Sequence, residues 1–251
     1  MNNVVAVIQA RMTSTRLPGK VLMPLAGAPL LTRMIERVRR IGGLDRICVA
    51  IPEGPAHDPI AELVRGLRDV TLVRGPEDDV LRRTAMAATV CRADVVVRLT
   101  SDCPMIDPDV CAAVIAMRQA TGLPYARTAF ASGFPLGFDI EVVRADALAE
   151  ADREAVDSYE REHVTPFLWR RPDRYPCVFL DRRPTRRDWR LVVDTAEDLE
   201  LARRVFDALY ATRPGFGFAD IEALFAARPE LLAINRATAQ NPYRGLPQDS
   251  P

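Results

Sequence analysis

At 251 residues, 48% hydrophobic and 27% charged, the chain is long enough to bury a sizeable core as one large domain or two small ones. Its 34 basic and 34 acidic residues cancel to a formal net charge of zero. That balance excludes a whole-protein attraction for nucleic acid or an anionic membrane and confines any anion site to a local cluster.

The run VVAVIQ (4–9) has the length and apolarity of a strand, and PLLTRMIERVRR (29–40) places apolar residues at helical spacing, with Pro29 suited to a first helical position. The alternation repeats along the chain. RICVAI (46–51) reads as strand, DPIAELVRGL (58–67) as helix, VTLVR (70–74) as strand, EDDVLRRTAMAATVC (77–91) as helix, DVVVRL (94–99) as strand and DPDVCAAVIAMRQ (107–119) as helix. Strands that are apolar on both faces and alternate with helices imply a doubly wound α/β fold with a mostly parallel sheet.

After about residue 121 the rhythm changes. ARTAFASGFPLGFDIEVV (126–143) carries turn signals around Gly133, Pro135 and Gly137 before a short strand, and 145–151 and 158–170 read as helices. YPCVFL (175–180) and DWRLVV (188–193) read as strands, and TAEDLELARRVFDAL (195–209) as an amphipathic helix. The expectation is one domain over 1–235 with an α+β insertion over about 121–187, followed by a loose tail at 236–251. No stretch approaches the roughly 18 apolar residues of a membrane span. The N-terminus shows neither a charged leader nor a cleavage site, so a cytoplasmic location is expected. Cys48, Cys91, Cys103, Cys111 and Cys177 are odd in number, lack CxxC spacing and are expected as buried thiols.

In such a sheet ligands bind outside the carboxyl ends of the strands, which singles out the loops at 9–20, 75–79, 100–107 and 194–195. The first, QARMTSTRLPGK, runs from Gln9 and Ala10 through Arg11, Thr13, Ser14, Thr15 and Arg16 to Lys20, with Gly19 at a tight bend. Amides, hydroxyls and three cations on one strand-to-helix loop suit a polyphosphate. It is not a Walker loop, because Ser14 stands where that motif needs Gly and Val21 where it needs Ser or Thr. Lys20 is the only lysine, and the other 33 basic residues are arginine. A compact, rotatable ammonium at that one place suggests a role that a planar guanidinium does not fill.

Asp102, two residues after Thr100 in RLTSDCP, belongs at the end of its strand. A carboxylate facing a polyphosphate there needs a cation such as Mg²⁺ between them; the alternative is a turn cap before Pro104. Asp107 before Pro108 reads as a helix N-cap. In LVVDTAEDLE, Thr195 and Asp198 have capping-box spacing, which leaves Asp194 either free for a metal or as a second capping acid. In PEDDVLRR the acids serve the helix N-terminus, or Asp78, Asp79 or Arg82 recognises ribose or base. His163 in EREHV lacks the second histidine of a zinc helix. Glu141, Arg161, Glu162 and His163 stand between acceptor-side or dimer contacts and structural roles.

VIQARMTSTRLPGKVL closely resembles the N-terminal signature of the sugar cytidylyltransferases, notably the spore-coat polysaccharide type and its relatives that activate acylneuraminate and 3-deoxy-manno-octulosonate. The resemblance continues in order through GPEDDVLRR, RLTSDCPMIDPD, FPLGFDIEV, EREHVTPF and LVVDTAEDLELAR. It implies a nucleotide-diphospho-sugar transferase fold, with CTP as nucleotide and Mg²⁺ as cofactor. By that resemblance Arg11 and Lys20 bind the triphosphate, Asp102 holds the metal, and Asp194 joins it, as the first Asp of a similar DTPEDLE does in the octulosonate branch. Nucleotide contacts are expected from Gln9, Ala10, Arg11, Ser14, Arg16, Lys20 and Thr100, with Asp78, Asp79 and Arg82 as candidates. The expected reaction is attack by a sugar-like acceptor on the α-phosphorus of CTP with loss of pyrophosphate. A second copy of the chain is a candidate partner. Two rivals are a glycosyltransferase of the same fold, for which DPD at 107–109 is a poor metal motif, and a non-catalytic nucleotide-binding module.

Overall fold

The computed structural model describes residues 2–128 and 133–238. Strand β1 (Val4–Gln9) leads through the long polar loop into a single turn of tight helix at Lys20–Leu22, then the hairpin of β2 (Pro24–Leu25) and β3 (Ala28–Pro29), and helix α1 (Leu30–Val38). Next come β4 (Arg46–Pro52), α2 (Asp58–Arg65), β5 (Val70–Gly75), α3 (Val80–Val90), β6 (Val95–Thr100) and α4 (Pro108–Thr121). The inserted segment supplies β7 (Tyr125–Arg127), β8 (Glu141–Arg144), α5 (Ala145–Glu154), α6 (Ser158–His163), α7 (Pro166–Trp169) and β9 (Cys177–Phe179); α8 (Ala196–Leu209) and α9 (Phe218–Ala227) follow.

Seven strands form one sheet in the order β5-β4-β1-β6-β8-β7-β9. The first four are parallel, whereas β8 runs antiparallel to both its neighbours. Successive side chains of a strand face opposite sides. Accordingly Ala6, Ile8, Val49 and Val97 pack beneath α1, α2 and α4, while Val5, Val7, Cys48 and Val96 pack against α3 and α5. A third apolar cluster joins Phe134, Phe138, Trp189, Leu191 and Val193 to α8 and α9. The five cysteines are free thiols, four of them buried and Cys177 partly so. Among the described residues no helix is long and apolar enough to cross a membrane.

Three expectations are corrected. DWRLVV does not join the sheet: it is extended chain with one isolated bridge, Leu136 to Arg190. Its alternating pattern suits an extended segment, but its backbone partners are a turn and a loop. Leu191 N–H donates to Leu136 O at 2.8 Å and Val193 N–H to Asp102 O at 2.7 Å. The helix expected over 158–170 breaks at Val164, which has a φ of 74°, and restarts with Pro166 at its first turn. The stretch 218–227, given no element in the sequence, is α9. Of the expected tail, residues 239–251 lie outside the described residues.

Two details set the site's walls. Gly137 has a φ of +103°, and a Cβ there would stand 2.6 Å from the carbonyl carbon of Leu191, so this turn and the 189–193 segment touch backbone to backbone. Asp107 is an N-cap as expected, and it serves two helices. Its Oδ1 accepts the N–H groups of Asp109 and Val110 at the start of α4, and its Oδ2 accepts that of Phe218 at the start of α9.

Candidate active site

The carboxyl ends of β1 and β6, the 9–20 loop and the 190–194 segment enclose a polar cavity of about 200 Å³. Gln9, Ala10, Arg11, Ser14, Thr15, Arg16, Lys20, Val80, Arg83, Arg98, Thr100, Ser101, Asp102, Glu162, His163 and Asp194 line it. A second cavity of about 690 Å³ shares Gln9, Arg11, Arg16, Arg98, Thr100, Asp102, His163 and Asp194, and adds Cys103, Leu136, Asp139, Tyr159, Arg190 and Val192.

Lys20 is 6% exposed, and its ammonium donates to Val193 O at 2.8 Å, Asp194 Oδ1 at 2.8 Å and Asp102 Oδ2 at 3.0 Å. An ammonium has three donors, and here all three are used. The geometry gives the lone lysine a physical meaning: three acceptors converge on a point, which a small tetrahedral cation saturates and a planar guanidinium does not. Burial pushes the Lys20 pKa down, but Asp102 and Asp194 outweigh it and hold the group above its ordinary value. Burial likewise works to raise Asp102, yet Lys20 and hydrogen bonds from Thr100 and Lys20 hold it below the usual carboxylate range. Lysine and Asp102 are therefore both charged at neutral pH.

Asp194 is held by further cations. Arg16 Nη2 lies 2.7 Å and Arg190 Nη2 3.1 Å from its Oδ2. The expected capping box on α8 is present, with Thr195 and Asp198 reciprocally bonded, so Asp194 is not needed as a cap. Asp102 and Asp194 thus meet across Lys20, 82 and 174 residues from it in sequence. Among the described residues no group of three or more His, Cys, Asp or Glu is placed to hold a metal. A pair of carboxylates still fits Mg²⁺, which takes one or two carboxylates and completes its shell with water and phosphate oxygens.

The remaining loop residues divide. Arg11 is exposed at the mouth and has no hydrogen-bond partner among the described residues. Glu162 and His163 line the cavity, and His163 packs on Tyr159 with ring centroids 4.3 Å apart; burial lowers its pKa. Asp78, Asp79 and Arg82 do not line either cavity. Asp79 caps α3 and pairs with Arg161, whose guanidinium also reaches Asp152, the partner of Arg82. That network ties α3, α5 and α6 together and gives Asp79 and Arg82 structural partners away from both cavities. Glu141 is buried and accepts from Arg98, Tyr125 and Thr165, also outside both cavities.

Several residues at the site have no counterpart in the sequence reading. Arg98 spans Glu141 at 2.7 Å and the side-chain oxygen of Gln9 at 2.9 Å, fixing that amide at the cavity wall. His57 is buried and accepts Met12 N–H on Nδ1 at 3.2 Å, while its Nε2 lies 3.6 Å from Glu77, which also accepts from the Thr13 hydroxyl. Arg83 is 2% exposed, donates Nη1 to the carbonyls of Pro76 and Glu77, leaves a buried Nε without a partner, and has no ion pair among the described residues. Burial, then the neighbouring Arg11 charge, brings its pKa down to about 10. A helical arginine four residues past a cap is unremarkable as sequence; only the fold turns it into the cavity.

A family model described as cytidylyltransferase matches residues 5–222. Over 239 residues the chain is 31% identical to the spore coat polysaccharide biosynthesis protein SpsF of Bacillus subtilis (strain 168), covering 92% of this chain and 97% of that protein. Over 121 residues, 47% of this chain and 48% of the other, it is 38% identical to a 3-deoxy-manno-octulosonate cytidylyltransferase of Anaeromyxobacter sp. (strain K). A solved cytidylyltransferase from Leptospira borgpetersenii serovar Hardjo-bovis superposes with a TM-score of 0.87 at 27% identity, over 92% of this chain and 97% of that one. CMP:2-keto-3-deoxy-manno-octonic acid synthetase complexed with CTP shares the fold, with a TM-score of 0.63 at 20% identity over 82% and 99% of the two chains.

Proposed function

The chain belongs to the cytidylyltransferase family, and from that premise we propose that it transfers CMP from CTP to an oxygen of a sugar, sugar acid or related acceptor. The observation that supports this reading most directly is the meeting of Lys20, Asp102 and Asp194 at one cavity with Arg11 and Arg16 at its mouth.

In the reaction the acceptor oxygen forms a bond to the α-phosphorus as the bond from that phosphorus to the bridging oxygen breaks, and pyrophosphate carries away the electron pair. The protein's part is positioning and charge stabilisation. Arg11 and Arg16 offset triphosphate charge on entry, and Lys20 offsets charge gathering on the departing pyrophosphate. Gln9, oriented by Arg98, and the Thr100 and Ser14 hydroxyls supply fixed polar groups along the wall. Asp102 and Asp194 would hold Mg²⁺, which when bound supplies neutralising charge to phosphate oxygens. The larger adjoining cavity is where the acceptor enters. A cytoplasmic setting and a homodimer belong to the same reading. Use of Asp107 as a double cap argues against DPD as a glycosyltransferase metal motif.

The test is CTP-dependent pyrophosphate release across a panel of neutral sugars, sugar acids and phosphonates, with thermal protection by each of the four nucleoside triphosphates alongside. Preferential protection by CTP and acceptor-dependent pyrophosphate are expected. Equal protection by all four would remove the cytidylyl assignment, and CTP binding without turnover on any acceptor would favour a sensing module.

A further inference from the structure

The two acids are already matched by the cations that touch them. Lys20 lies between them, Arg16 holds the other oxygen of Asp194, and Arg190 reaches that same oxygen. The Lys20 side chain is 8% exposed, against 25% for Asp102 and 18% for Asp194, so the carboxylates open toward the cavity while the ammonium closes their inner side. A divalent cation entering alone would add two charges to a cluster that is already balanced, and would compete with the ammonium for both carboxylates. A triphosphate changes that balance by offering Lys20 and Arg16 other oxygens.

We propose that Lys20, assisted by Arg16, occupies the acid pair as a stand-in cation, and that nucleotide draws both side chains onto its phosphates, so that nucleotide and metal bind cooperatively through them. The proposal rests on the cytidylyltransferase reading for the identity of the nucleotide. Linkage makes the effect reciprocal: whatever factor the nucleotide adds to metal affinity, the metal adds to nucleotide affinity. The device also guards the site, because the acid pair is neutralised without metal and presents no exposed pair of like charges.

Mn²⁺ titrated calorimetrically into nucleotide-free protein tests the competition. Lys20→Met should bind Mn²⁺ on the order of 10-fold more tightly than wild type, and its melting temperature, lowered in chelator, should recover on adding Mn²⁺. Equal or weaker Mn²⁺ binding by Lys20→Met would overturn the proposal. Should that variant fail to fold, Arg16→Met, which removes a half-exposed side chain, should also tighten Mn²⁺ binding, and no gain there would overturn it. A non-reacting CTP analogue then tests the coupling. After correction for Mn²⁺ bound by the analogue in free solution, its enhancement of Mn²⁺ affinity should be large in wild type and much reduced in Lys20→Met, and equal enhancement in both would overturn the coupling. Failure of the analogue to bind any form would overturn the nucleotide reading and the coupling with it, while the nucleotide-free comparison still decides the competition.

Discussion

Arg190 and Asp198 face one another in a buried two-point contact, Nε to Oδ1 at 2.8 Å and Nη2 to Oδ2 at 2.9 Å. Asp198 Oδ2 also accepts the backbone N–H groups of Asp194 and Thr195, and Arg190 reaches the Asp194 carboxylate. The acid that caps α8 is therefore the anchor of the acid that faces the cavity. Removing one partner of a buried pair strands the other charge, at a cost of about 3–5 kcal/mol. Asp198→Asn should lower unfolding free energy by an amount in that range in urea titrations; a loss below about 1 kcal/mol would show that Arg190 finds other partners at no penalty.

Asp102→Asn and Asp194→Asn should each reduce metal-dependent turnover on the order of 100-fold, as removal of a group stabilising transition-state charge does. Their combined loss should be smaller than the product, because groups that act as a unit are non-additive. Raised Mg²⁺, or Mn²⁺, should partly restore each single variant. The measurement is a metal titration of activity for wild type, both single variants and the double. An Asp194→Asn enzyme with an unchanged metal requirement and only a lower melting temperature would reduce that residue to an anchor.

Arg83 carries two expectations of opposite sign. Its guanidinium is buried without a carboxylate partner among the described residues, an arrangement that costs stability until a ligand supplies the missing acceptor. Arg83→Met should leave the nucleotide-free protein as stable as wild type or more so, while weakening CTP binding by about 1.5–3 kcal/mol, the worth of a charged hydrogen bond. Melting curves with and without CTP read both. A destabilised protein with unchanged CTP affinity would show that Arg83 serves the carbonyls of Pro76 and Glu77 alone.

His163 makes stability depend on pH in a defined direction. Burial lowers its folded pKa below the ordinary value of about 6.5. Above that value both states hold a neutral ring and the contribution is flat. As pH falls through it, the unfolded chain takes a proton that the folded ring refuses, so stability is lost until the folded value is passed. His163→Gln should remove this part of the loss as pH falls below about 6.5. Identical pH slopes in denaturant midpoints for the two proteins would contradict it.

How much of this was legible in the sequence follows the range of the interactions involved. The alternating strands and helices over 4–119, the Asp107 cap and the Thr195–Asp198 capping box are local patterns and stand in the structure as read. Lys20 was picked out as the one lysine in a basic, hydroxyl-rich loop, and Asp102 and Asp194 because each follows a strand end with a neighbouring residue better suited to capping. Arg98 and its partners Gln9 and Glu141 were not paired in that reading, since a contact across 89 or 43 positions leaves no periodic trace. His57 went unread for the same reason: its partner is a backbone amide 45 positions away. DWRLVV shows the converse case, where a correct extended pattern did not tell which neighbour would accept its hydrogen bonds.

The backbone contact at Gly137 has a consequence for sequence drift. Alanine there would put its methyl carbon roughly an ångström inside ordinary carbon–carbon contact with Leu191, and a φ of +103° already disfavours any side chain. The cheapest relief is to slide the 190–194 segment outward, which carries Val193 O and Asp194 Oδ1 away from the 2.8 Å positions they hold around Lys20. Gly137 lines neither cavity, yet it works as a spacer gauge. In a saturation library selected on turnover it should be as intolerant of change as the acids themselves, and in one selected on folding alone it should be more forgiving.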